Sequence, residues 1–176
     1  MNEKRIHEIM VALEEYPCIC EKDTLRQAIH QMTRVQIRRG QQATLARVAL
    51  VFDESRRELL GMLRRRDIMR GLEPRFLRSG SLDYGRKLFD VEIDPNLAEL
   101  SYEKIMARIR QRADRPVREF MVPIPATIDY EDHLMKAMSE MVDRNTSLLP
   151  VLREGEIAGV VRSVDVLNEI ALIIGP

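Results

Sequence analysis

Tryptophan is absent from this chain, and the aromatic residues together make up only 5% of it. A core built without them must be filled by Leu, Ile, Val, Ala and the ten Met, whose flexible thioethers suit irregular gaps. Neither sign of charge is in excess, since 28 basic side chains balance 28 acidic ones. Nothing global therefore draws the chain to nucleic acid or to an anionic membrane. Apolar runs are short. No stretch of 18 exists to form a transmembrane helix, and Ile170–Ile174 reads as a buried helix end or an interface. The first residues (Glu3, Lys4, Arg5) lack a secretory apolar segment. There are only two cysteines, Cys18 and Cys20. They are expected to be one buried and one exposed strand residue with no disulfide between them, in a reduced, cytoplasmic setting. His7, His30 and His133 are scattered, so no metal site is expected. A Gly-rich phosphate loop, a nucleophile elbow and a triad are all missing, and no enzymatic activity is expected.

What is present is a folded composition, 45% hydrophobic and 32% charged, and an internal repeat. Glu8-Ile9-Met10-Val11 lines up with Glu119-Phe120-Met121-Val122. Each is followed by a Pro and a short extended stretch, Pro17–Cys20 in the first copy and Pro125–Ile128 in the second. A helical face follows: Asp23, Leu25, Ala28, Ile29, Met32, matched by Asp132, Leu134, Ala137, Met138, Met141. Asp23 and Asp132 stand where an N-cap or first-turn acid belongs. Apolar strands come next, Val48–Phe52 and Leu148–Leu152, each leading through a polar turn to a second strand, Leu59–Leu63 and Ile157–Val161. Each copy then reaches an Asp, Asp67 or Asp165, read as the residue that caps and opens a helix.

Met32 and Met141 are 109 residues apart, whereas Gly61 and Gly159 are 98 apart. The first copy therefore carries an insertion, mostly within Thr33–Arg47, whose polar and basic composition reads as a surface loop or an extended helix end. Between the copies lies a long connector. Its first half reads as an irregular linker, and Tyr102–Ala113 reads as a helix that packs on the body or on a partner chain. The units are thus 5–72 and 116–172, joined by 73–115.

These residues resemble a tandem pair from the cystathionine-β-synthase (CBS) domain family. Leu149-Pro150-Val151 and Gly159-Val160-Val161-Arg162-Ser163-Val164-Asp165 look like the family's apolar-Pro-Val strand and its Gly-apolar-apolar-Thr-x-x-Asp ligand motif. Gly61-Met62-Leu63-Arg64-Arg65-Arg66-Asp67 holds the same place in the first copy. The resemblance implies an α+β fold in which two β-α-β-β-α units pack sheet to sheet about a pseudo-twofold axis, leaving two equivalent clefts. It also implies an adenosyl ligand (AMP, ADP, ATP or S-adenosylmethionine), a homodimer, and regulation of a separate, unidentified protein.

By the family pattern, Cys18 and Ile19 in one copy, and Thr127, Ile128, Leu149, Pro150 and Val151 in the other, would line the adenine slot. Asp67 and Asp165 would accept the ribose hydroxyls, and phosphates would lie at the helix N-termini. The family's Thr is replaced by Arg64 and Arg162, with Arg65 and Ser163 beside them. Cations at a helix N-terminus oppose the macrodipole unless an anion arrives, which favours a phosphorylated ligand over a sulfonium. A ligand-free dimerisation scaffold is the alternative from another class. Nucleic-acid binding through Arg56–Arg78, with eight Arg against three acids, finds no supporting motif.

Overall fold

A computed structural model describes residues 3–39, 42–73 and 102–175. Apart from Glu73, the expected irregular linker lies outside the described residues. The first half contains β1 (Val11–Ala12), β2 (Cys18–Cys20), α1 (Leu25–Arg34), β3 (Gln36–Arg39), β4 (Gln42–Leu45), β5 (Val48–Phe52), β6 (Leu59–Arg64) and α2 (Arg65–Leu72). Helix α3 (Tyr102–Ala113) follows. The second half contains β7 (Ile128–Asp129), α4 (Leu134–Asp143), β8 (Leu148–Arg153), β9 (Glu156–Arg162) and α5 (Ser163–Ile174).

Both halves build the same sheet. A short strand runs parallel to the long central one (β2 on β5, β7 on β8), which then turns back into an antiparallel partner (β6, β9). The central strands are apolar, except for the exposed Arg153 that ends β8, because both of their faces are covered. Strand alternation sorts their side chains. Val48, Leu50 and Phe52 meet Leu148, Val160 and Val11 between the two sheets. Ala49 and Val51 face α1 and α2, while Leu149 and Val151 face α4 and α5. The repeated helical face is the core face: Leu25, Ala28 and Met32 are buried on α1, and Leu134, Ala137 and Met141 on α4.

The leading segments are exchanged between the halves. Strand β1 belongs to the first copy by sequence but closes the second sheet, with Val11 opposite Val160 and Ala12 opposite Gly159. Reciprocally, Val122 and Met62 exchange two backbone hydrogen bonds of 2.9 Å. Ile6 and Ile9 fill the second half's core, and Val117 fills the first half's. This crossing explains the repeated glycines. A Cβ on Gly61 would stand 2.6 Å from the Val122 carbonyl oxygen, and one on Gly159 would collide with that of Val11.

Three expectations are corrected. The insertion is not a surface loop but a β-hairpin, β3 paired with β4. Its inward residues, Ile37 at 2% exposure and the following Ala46 at 1%, join the core between the sheets. Asp23 and Asp132 do not cap α1 and α4. The cap of α1 is Thr24, which accepts from Gln27 N at 3.2 Å while the Gln27 side chain accepts from Thr24 N. Asp23 instead accepts from Cys20 N, and Asp132 from Asp129 N, each at 3.0 Å, tightening the turn that feeds the helix. The two cysteines are free and both half-buried, because residues two apart on β2 share a face and Ile19 takes the opposite one. Helix α3 packs on the body: Ile105, Met106 and Ile109 are half-buried, Arg112 donates to the Gly71 carbonyl at 2.6 Å, and Arg26 pairs with Asp114 at 2.9 Å.

Candidate functional site

Strands β6 and β9 each end in an arginine that serves as the N-cap of the next helix. An N-cap side chain ordinarily accepts a hydrogen bond from the first turn. A guanidinium has no acceptor, so here the arrangement is inverted. The acid at the third helical position reaches back: Asp67 accepts from Arg64 N at 3.1 Å, and Asp165 from Arg162 N at 3.3 Å. Asp67 and Asp165 are therefore not the caps themselves, as the sequence suggested. Each carboxylate is then gripped by its own arginine's fork. Arg64 donates Nε at 2.6 Å and Nη2 at 2.9 Å to the two Asp67 oxygens. Arg162 donates to the two Asp165 oxygens at 2.7 Å each. Such charge-assisted bonds are worth about 1.5–3 kcal/mol apiece, and breaking a buried pair costs about 3–5 kcal/mol. Burial by itself would raise the Asp67 carboxyl. The fork and the backbone N–H of Arg64 outweigh it and hold the group below its ordinary value.

Two adjoining cavities open where these helix starts meet the opposite half. The first, of about 520 Å³, lies between Arg162, Ser163, Val164 and Leu167 of the second half and Tyr16, Thr44, Leu45, Arg47 and Val48 of the first. The second, of about 540 Å³, repeats the arrangement with the halves exchanged. Arg64, Arg65, Arg66 and Met69 face Met141, Asn145, Thr146 and Ser147. Arg47, Val48, Arg65, Ser147 and Ser163 border both. Matching backbone bonds hold the corner together, Arg65 N to Arg47 O at 3.1 Å and Ser163 N to Ser147 O at 2.9 Å. Five arginines thus surround the joined space, and no acidic residue among those described lines either cavity. Tyr16, on the wall of the first, is buried and donates its hydroxyl to the Val48 carbonyl at 2.6 Å; burial pushes its phenol upward.

Of the residues marked in the sequence, Arg64, Arg65, Arg162 and Ser163 line this space. Asp67 and Asp165 sit behind their arginines, 3% and 0% exposed. Ile19, Ile128, Leu149 and Val151 point into the helix-side cores. Pro150 is buried opposite Val160 on β9, and Thr127 is exposed. Cys18 borders a separate hollow of about 310 Å³ with Leu13, Phe52 and Arg56, its thiol pushed up to about 11 by burial. Sequence reasoning missed Tyr16, Thr44, Arg47, Val48, Ser147 and Leu148. Strand parity was the signal: once Leu149 and Val151 face the helices, Leu148 must face the other sheet.

Among the described residues, no helix is long and apolar enough to cross a membrane, and no group of three or more His, Cys, Asp or Glu could hold a metal ion.

The family model described as CBS domain matches residues 6–74 and 117–172, together more than two thirds of the chain. None of the curated proteins matches. Among solved structures, a CBS domain-containing protein of unknown function from Kribbella flavida superposes with a TM-score of 0.66 at 16% identity, covering 98% of this chain and 99% of that one. The CBS domain of a CBS domain-containing membrane protein from Sphaerobacter thermophilus gives 0.62 at 17%, covering 94% and 87%. The CBS domain of a bacterial CNNM/CorC family Mg²⁺ transporter in complex with ATP gives 0.61 at 18%, covering 96% and 87%. CBS domains generally bind adenosine-containing ligands and serve regulation rather than catalysis. Two matched segments, two sheets packed face to face and a cleft at the repeated Gly-to-Asp motif lead to one conclusion: the chain belongs to the CBS-domain family, as a tandem pair.

Proposed function

We propose that the chain is a regulatory module that takes an adenine nucleotide (AMP, ADP or ATP) into the cleft between its halves and acts on a separate partner protein in the cytoplasm. The observation that carries this reading is the set of five arginines around two adjoining cavities with no acid among their described lining residues. Cavities of this size suit a small ligand. The apolar wall made by Val48, Leu148, Val164 and Leu167 suits a purine face, and the arginines beside the starts of α2 and α5 suit its phosphates. The ATP complex of the transporter CBS domain supports the ligand class. The cationic sulfonium of S-adenosylmethionine meets repulsion here.

A thermal-shift and calorimetric screen with ATP, ADP, AMP and S-adenosylmethionine tests this. A nucleotide at 100 times its Kd adds about 2.7 kcal/mol, a rise in Tm of roughly 5–11 °C. Arg65→Ala, which alters both cavities, should weaken ATP about tenfold. Absence of a response to every nucleotide would sink the proposal.

One observation favours the homodimer, which the alternative reading as a ligand-free scaffold also requires. Helix α5 leaves Leu167, Leu172, Ile173 and Ile174 between 60% and 78% exposed, an apolar surface suited to pairing two copies. Light scattering that finds only monomers at micromolar concentration would remove the homodimer.

A further inference from the structure

We infer that the cleft recognises the phosphate charge of its nucleotide and is indifferent to the hydroxyls of its sugar, with Arg64 and Arg162 as the residues that set this specificity. The inference rests on the nucleotide reading above. A carboxylate accepts the protons of a vicinal diol only through lone pairs that face the ligand, so it must border the cavity to do so. Asp165 has both oxygens turned toward Arg162, and Asp67 has both turned toward Arg64. The order of layers is the same in both halves: the arginine borders the cavity and the acid lies behind it. A hydroxyl entering either cavity thus meets a cation with no acceptor where a carboxylate would have received its proton.

Arg162 is further restrained. Its remaining terminal nitrogen, Nη1, donates to Thr44 Oγ1 at 2.9 Å, so the guanidinium is held by its own helix on one side and by the β3–β4 hairpin on the other. Its side chain is only 11% exposed, and its partner's is 1% exposed. Displacing it would require a ligand to break three charge-assisted bonds in order to make two. Phosphate oxygens need no such exchange, because Arg47, Arg65 and Arg66 present their charge along the same rim. Affinity should therefore follow phosphate count and ignore the state of the 2′ and 3′ positions.

The test uses the full wild-type chain, titrated calorimetrically at fixed ionic strength with ATP, 2′,3′-dideoxy-ATP and AMP. The dideoxy compound should bind within about threefold of ATP, and AMP at least about tenfold more weakly. A dideoxy-ATP that binds about tenfold or more weakly than ATP overturns the inference and leaves the nucleotide reading standing. If ATP itself does not bind, the nucleotide reading falls and this inference with it. Arg162→Thr, which uncovers Asp165, should make the protein sugar-sensitive, with dideoxy-ATP about tenfold weaker than ATP. A folded Arg162→Thr variant that still treats the two alike also overturns the inference. The wild-type comparison decides the question if that variant does not fold.

Discussion

Arg64 and Arg162 hold equivalent places in the two repeats and make the same fork to an acid three residues on, but their surroundings differ. The insertion that folds as β3–β4 exists only in the first copy, and it reaches across to cover the motif of the second. Arg162 consequently has an extra partner in Thr44 and an 11% exposed side chain, whereas Arg64 is 25% exposed. The cavities diverge accordingly. The one beside Arg162 has Tyr16, Leu45, Leu148 and Leu167 on its walls, while the one beside Arg64 is bordered by a run of three consecutive arginines. The insertion contributes Thr44 and Leu45 to the first cavity alone, and it is part of what makes that cavity the more apolar of the two.

Removing each acid in turn should break this comparison most strongly. Asp165→Ala leaves Arg162 buried without its partner and should cost about 3–5 kcal/mol, or roughly 6–20 °C in Tm. Asp67→Ala should cost only about 1–2 kcal/mol, because the more exposed Arg64 can turn to water. Equal losses in urea denaturation would mean that the hairpin adds nothing to the second fork. A smaller effect is expected from Thr44→Val, about 0.5–1.5 kcal/mol, through loss of one hydrogen bond. Chemical-shift changes should then gather on β4 and at the start of α5 and spare α2; a disturbance spread evenly over both helix starts would contradict the one-sided anchor. The smallest effect is in acid. Asp67 is held below its ordinary 3.8, so its pairing contributes stability above that value and loses it as pH falls through the lower folded one. Asp67→Asn should therefore flatten the decline in stability below about pH 4. A mutant whose acid limb is as steep as that of the wild type would show that other carboxylates govern it.

Much of this architecture is legible in the residues. The spacing of Leu25, Ala28 and Met32 recurs in Leu134, Ala137 and Met141 because both helices bury the same stripe against the same kind of sheet. The hairpin is not legible, since only Ile37 and Ala46 carry it into the core and the rest of its composition is that of a loop. The forks could have been read. Arg-x-x-Asp occurs at the end of β6 and again at the end of β9, and a cap without an acceptor followed by an acid at the third position invites that pairing. The destination of the leading segments could not. Val11 and Val122 close the same Glu-apolar-Met-Val pattern, and nothing local says that each will complete the other copy's sheet.

That trade of segments makes the pair indivisible. Neither repeat owns the segment that finishes its own sheet, so a disturbance at the first dozen residues is delivered to the far half. It arrives on β9, the strand whose last residue is Arg162. The chain's beginning is in this sense a handle on the guanidinium that guards the first cavity.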